Sequence, residues 1–187
     1  MNLYIIRHGE TDWNKSKRIQ GSTDIELNEK GIEQANKMKE MLKDIKFDIC
    51  ISSPLKRARK TAEIITDGKC SINIDEALIE RGFGNYEGQI SSEAKLDIFK
   101  LWNYKENCNE NGIEPLKSLL ERSDSFLKKF KEDYVSCSNV LIVSHGGFIK
   151  GLYYSLNGYD ENTDFLSFHL GNCGVYKCEI PSKSIHR

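Results

Sequence analysis

The sequence predicts a single α/β domain over residues 1–187, with a mostly parallel central sheet flanked by helices. Three observations predict it. Short apolar runs alternate with segments of helical period along most of the chain. Two of those runs, Leu3–Ile6 and Val140–Val143, each deliver a histidine from their carboxyl ends. Finally, 187 residues with 39% hydrophobic and 29% charged content suit one soluble domain with a substantial core.

The elements follow in order. Leu3-Tyr4-Ile5-Ile6 reads as a short buried strand. From Leu27 to Ile45, the apolar residues Ile32, Ala35, Met38, Met41, Leu42 and Ile45 recur at helical spacing. Phe47–Ile51 is a second strand, followed by Ser53 as a helix cap and Pro54 at the first helical position. That helix places Leu55, Ala58, Ala62 and Ile65 on one face, and Ile72–Ile74 is a third short strand. Leu116, Leu119, Leu120, Phe126, Leu127 and Phe130 mark a long amphipathic helix. The continuous run Val140–Val143 suits a central parallel strand, with a helix after it through Leu156. The tail, Phe165–Leu170 and Gly174–Ile180, reads as a final pair of strands. The irregular stretch from Gln89 to Pro115 reads as an insertion over the site.

Composition excludes several function classes. A net charge of −1 gives no electrostatic footprint for nucleic acid or an acidic membrane. No apolar run approaches transmembrane length, and the start of the chain reads as a strand, not a signal peptide. A cytoplasmic protein is expected. The six cysteines then read as reduced thiols, with Cys50 a small buried hydrophobe. They form no CxxC pair and have no histidine pairs at ligand spacing, so no metal site is expected. Oligomeric state is not legible.

The chemistry concentrates behind the strands. Arg7-His8-Gly9 places together a planar cationic fork for phosphate or carboxylate oxygens, a nucleophile or proton carrier, and a residue that lets the backbone turn sharply. In a parallel sheet, ligands bind beyond the carboxyl ends of the strands, so His8 and His145 open onto one edge. Each element also has a plainer reading. Arg57, among Lys56, Arg59 and Lys60, reads equally as part of a solvated basic face. Glu80-Arg81 reads equally as a surface ion pair, and His145 as a core histidine. His169 and His186 have no motif around them and are expected to be structural or exposed.

Four segments decide between these readings: Arg7-His8-Gly9-Glu10-Thr11, Ser53-Pro54-Leu55-Lys56-Arg57-Ala58, Leu78-Ile79-Glu80-Arg81 and Ser144-His145-Gly146-Gly147. In this order they resemble the histidine phosphatase superfamily, which includes the cofactor-dependent phosphoglycerate mutases. Trp13-Asn14, Gln20-Gly21, Lys60-Thr61-Ala62-Glu63 and Gly84-Asn85-Tyr86-Glu87-Gly88 extend the resemblance. It implies that His8 carries the phosphoryl group and that Glu80 is the acid and base. It also implies that Arg7, Asn14, Arg57 and His145 hold the phosphate. Gly9, Gln20, Gly21, Thr23, Arg81 and Gly146 are expected on the substrate side, with Trp13 and the segment holding Phe99, Trp102 and Tyr104 as further walls. No cofactor or metal is implied, because cationic side chains supply what magnesium supplies elsewhere.

The implied partner is a small phosphorylated metabolite. The region after Glu80 is short and lacks the mutases' tyrosine- and arginine-rich signature, which favours a phosphomonoesterase over a mutase. A catalytically silent binding module is the third reading. Family members carry Gly-Gly-Glu-Ser before the long helix where this chain has Asn111-Gly112-Ile113-Glu114, a departure that touches the substrate side. Lys95, Lys100 and Lys105 are available for a second anionic group.

Overall fold

The computed structural model describes residues 1–181. Five strands form one sheet: β1 (Asn2–Arg7), β2 (Ile49–Ser52), β3 (Ile72–Ile74), β4 (Asn139–Ser144) and β5 (Val175–Glu179), in the order β3-β2-β4-β1-β5. The first four are mutually parallel, and only β5 runs antiparallel, at the edge beside β1. Apolar residues on both faces bury Leu3–Ile6 of β1 and Val140–Val143 of β4.

Alternation along these strands feeds two cores. Leu3, Ile5, Val140 and Ile142 face the helices α5 (Leu116–Asp133) and α6 (Gly146–Asn157). Tyr4, Ile6, Leu141 and Val143 face α2 (Glu29–Leu42) and α3 (Lys56–Thr66). The sheet is thus covered on both sides, as parallel strands require. Two helices of four residues each, α1 (Asp12–Lys15) and α4 (Ile98–Leu101), lie in the loops.

The structure departs from the sequence reading at two elements. The helix after β2 begins at Lys56, not at Pro54, and Ser53 does not cap it. Instead Asp24 Oδ1 accepts from the Lys56 backbone N–H at 2.8 Å, which leaves Ser53 for another partner. The expected final pair of strands is a single strand, β5, because Phe165–Leu170 form turns. Phe165 packs at 4.6 Å on Tyr154 and Phe168 stacks at 3.9 Å on Tyr153, so aromatic contacts with α6 replace strand pairing. No helix of the described residues is long and apolar enough to cross a membrane.

Candidate active site

The register that pairs Arg7 with Ser144 sets the two histidines side by side, each immediately past its strand. Their ring centroids lie 5.1 Å apart, and both rings are buried. His8 Nδ1 lies 2.7 Å from the carbonyl oxygen of Gly9. A carbonyl only accepts, so Nδ1 carries the ring proton and Nε2 keeps its lone pair. Burial pushes the His8 pKa well below the ordinary histidine value, and the charges of Arg57 and Arg7 push it the same way. His145 Nε2 lies 2.8 Å from Ser53 Oγ, the partner that the shifted helix start releases. Burial lowers the His145 pKa well below its ordinary value too, followed by the charges of Arg57, His8 and Arg7.

Arg57 is fully buried, which overturns the solvated-face reading. It donates from its two terminal nitrogens to the carbonyls of Thr23 and Gly21, each at 2.8 Å. Burial draws its pKa down to about 10, opposed by the carboxylates of Glu80, Asp24 and Glu87. Arg7 donates to the Leu170 carbonyl at 2.9 Å. Arg7 Nε, Arg57 Nε and His145 Nδ1 are all buried without a hydrogen-bond partner among the described residues. Unsatisfied donors of this kind are costly, and three of them surround one histidine.

Glu80 reaches the start of α6. Its Oε2 accepts from the Gly147 N–H and its Oε1 from Phe148 N–H, both at 3.0 Å, and Oε1 also accepts from Arg81 N–H at 2.7 Å. A carboxylate suits this position because the helix terminus offers unpaired N–H groups and the positive end of the dipole. The approach requires glycine at 147, where a Cβ would stand 2.5 Å from Glu80 Oε1.

Arg7, His8, Asn14, Gln20, Arg57 and Glu80 line one cleft of about 480 Å³, together with the apolar Ile19, Phe83, Leu96, Ile98, Leu101 and Trp102 and the polar Arg18 and Ser91. Asn14 Oδ1 accepts from Thr11 N–H and from Asn172 Nδ2, so the amide nitrogen is the group that it can offer a ligand. Gln20 Oε1 is buried without a partner, and Gly21, at φ +56°, also lines the cleft.

The other expected residues stand elsewhere. Gly9 donates its N–H to Thr61 Oγ1 at 3.1 Å, and Gly146 opens α6 beside Arg7. Thr23 and Trp13 lie outside the cleft lining. The Thr23 side chain donates to Glu87, and Trp13 packs near Gly88. Arg81 is fully buried and donates to the carbonyls of Glu114 and Leu101, at 2.9 and 3.0 Å, so it belongs to the frame and not to the cleft. Its guanidinium and the Lys150 ammonium lie 4.8 and 4.3 Å from the Trp102 ring, fixing that wall residue. Phe99 and Tyr104 line a separate surface depression with Phe165. Lys95, Lys100 and Lys105 are exposed and outside the cleft. His169 is exposed, and His186 lies outside the described residues.

Sequence reasoning missed several supports. Asn172 donates to the carbonyl of His8 at 3.1 Å as well as to Asn14. Glu87 accepts from the backbone N–H groups of Ser22, Thr23 and Phe83, which shapes the loop whose carbonyls hold Arg57. Thr61 bonds both Gly9 and the Arg57 carbonyl, and its spacing of four residues from Arg57 on one helix was the available signal.

Comparison with known proteins now carries the assignment. The family model for the histidine phosphatase superfamily (branch 1) matches residues 3–186. The chain belongs to this superfamily. It is 39% identical over 173 residues to the phosphatase PhoE of Bacillus subtilis (strain 168), itself uncharacterized, covering 90% of this chain and 85% of that one. It is 35% identical over 159 residues to phosphoglycerate mutase-like protein 4 of Arabidopsis thaliana, covering 81% and 69% respectively. Among solved structures, a mutant phosphoserine phosphatase from Entamoeba histolytica in complex with phosphoserine superposes with a TM-score of 0.82. That alignment has 34% identity and covers 94% of this chain and 89% of the other.

Proposed function

We propose that this histidine phosphatase superfamily member is a phosphomonoesterase acting on small phosphorylated metabolites through a phosphohistidine on His8. The observation that carries the reading is the set of three buried, unpartnered donors, Arg7 Nε, Arg57 Nε and His145 Nδ1, arrayed around a histidine whose Nε2 is free. Fixed donors in a dry site stabilise charge spread over the oxygens of a transferring phosphoryl group. In this reading Ser53 Oγ, which accepts from the Leu55 N–H, gives its own proton to His145 Nε2, and the ring proton of His145 sits on the unpartnered Nδ1.

In the first step His8 Nε2 attacks phosphorus, the bond to the ester oxygen breaks, and Glu80 gives that oxygen a proton. Glu80 Oε2 has one backbone partner where Oε1 has two, so Oε2 is the oxygen with the larger share of its lone pairs free for the transfer. In the second step water attacks phosphorus, Glu80 takes its proton, and the His8 N–P bond breaks to release phosphate. The apolar part of the lining favours esters whose organic part has an apolar face.

Turnover of a panel of phosphate monoesters in the presence of chelator tests this reading, with phosphate release and conversion of 3-phosphoglycerate to 2-phosphoglycerate measured together. Phosphate release without isomerisation is expected. Isomerisation dependent on 2,3-bisphosphoglycerate overturns it in favour of a mutase, and inactivity of the folded protein on every ester in favour of a binding module.

A further inference from the structure

The backbone around Glu80 has no regular secondary structure of its own beyond a single turn at Glu76–Leu78. A carboxyl group meant for proton transfer needs placement to a fraction of an ångström, and a free loop does not supply it. Two side chains outside the cleft do. Arg122, on α5, donates from one terminal nitrogen to the carbonyls of Ala77 and Ile79, both at 2.7 Å. Its other nitrogens grip Glu114 in a forked pair, at 2.8 Å for the shortest contact. Glu114 Oε2 in turn accepts from the Gly82 N–H at 3.3 Å, while the Glu114 N–H donates to the Gly82 carbonyl at 2.9 Å and the Glu114 carbonyl accepts from Arg81 Nε at 2.9 Å.

Residues 77, 79, 81 and 82 are therefore tied to one Glu114–Arg122 pair, and Glu80 stands in the middle of the tied segment. Arg122 also lies 5.1 Å from the Phe148 ring, and Phe148 N–H is a donor to Glu80 Oε1. The pair thus sets both the carboxyl group and the helix terminus that receives it. The geometry points to Glu114 and Arg122 as positioning residues that aim Glu80 at the leaving oxygen. Neither residue lines the cleft.

This inference rests on the acid role proposed for Glu80, and the experiment separates the two. Kinetic constants for p-nitrophenyl phosphate and for 2-phenylethyl phosphate are compared in the parent, Glu80→Gln, Glu114→Gln, Arg122→Lys and the double variant Glu80→Gln/Glu114→Gln, each checked for folding by circular dichroism. A nitrophenolate leaves without a proton and an alkoxide does not. Glu114→Gln and Arg122→Lys are expected to keep p-nitrophenyl phosphate turnover within about twofold and to lose about tenfold or more on the alkyl ester. The Glu114→Gln loss on the alkyl ester is expected to vanish in the Glu80→Gln background, since it acts only through Glu80. Equal losses on both esters, no loss on either, or a full additional loss in the double variant overturn the positioning role. A Glu80→Gln variant that treats the two esters alike instead overturns the acid role itself. Should Arg122→Lys not fold, Glu114→Gln and the double variant carry the same test.

Discussion

The two walls of the cleft are built in opposite ways. The inner wall is polar and largely buried, and its groups come from the ends of β1 and β4, the first turn of α3 and the loop that carries Glu80. Four of its side chains are pinned by backbone: His8 by Gly9, Arg57 by Gly21 and Thr23, Arg7 by Leu170, Glu80 by the α6 terminus. The outer wall is apolar, and residues 83–102 supply most of it, through turns and the one-turn helix α4. Ile98 is 48% exposed and its neighbour Phe99 73% exposed. The contrast teaches that phosphate chemistry needs preorganised groups, which a sheet edge holds, while an organic leaving group needs only a surface that sheds water.

The contrast is tested first at its centre. His8→Ala removes the nucleophile and is expected to lower kcat by on the order of 10⁴-fold or more for every ester, including activated ones. Steady-state assays on the purified variant, together with loss of radiolabel from phosphate ester trapped on the protein, measure it; retained turnover defeats the phosphohistidine step. Arg57→Lys keeps a charge but loses the fork that spans the Gly21 and Thr23 carbonyls. Its kcat is expected to fall about 10²–10³-fold, the loss typical of one transition-state donor. An unchanged kcat with raised KM would instead make Arg57 a ground-state binder.

How much of this was legible in the sequence follows the same division. The apolar runs ending in His8 and His145 fix the inner wall because a strand both buries its side chains and dictates where the next residue points. The family motifs supply Arg57 and Glu80 on top of that. Arg81 shows the limit: it adjoins Glu80 in sequence, yet the backbone turns it into the core toward Leu101. Asn172 acts on backbone atoms far along the chain and carries no local signal, whereas Glu87 stands in a family motif that does not tell which loop it braces. The tail failed for a related reason, because Leu166, Phe168 and Leu170 alternate as a strand would while the Phe165 and Phe168 rings pack on α6.

The outer wall is expected to respond more weakly and only to the leaving group. Leu96→Asp places a charge on the apolar side without touching the phosphate donors. The kcat/KM for 2-phenylethyl phosphate is expected to drop about tenfold, while that for phosphoserine changes by less than about twofold. A parallel drop for both esters would mean that residues 91–102 support the inner wall as well as the organic group.

The smallest effect reports the cost of burying the inner wall. His8 and His145 both have pKa values held below the ordinary histidine value, by burial first and by neighbouring arginine charge second. The unfolded chain takes up these two protons near pH 6.5 and the folded chain only at lower pH. Unfolded chains therefore bind more protons below about pH 6.5, so stability rises with pH through that window and levels off above it. Each histidine contributes a slope of at most about 1.4 kcal/mol per pH unit. Thermal unfolding between pH 7.5 and 5.5 is expected to show Tm falling toward the acid side, and His8→Gln is expected to roughly halve the fall. A Tm independent of pH over this range would mean that both imidazoles take up protons without unfolding the site. The neutral, lone-pair-bearing His8 on which the proposed attack depends would then not hold in mild acid.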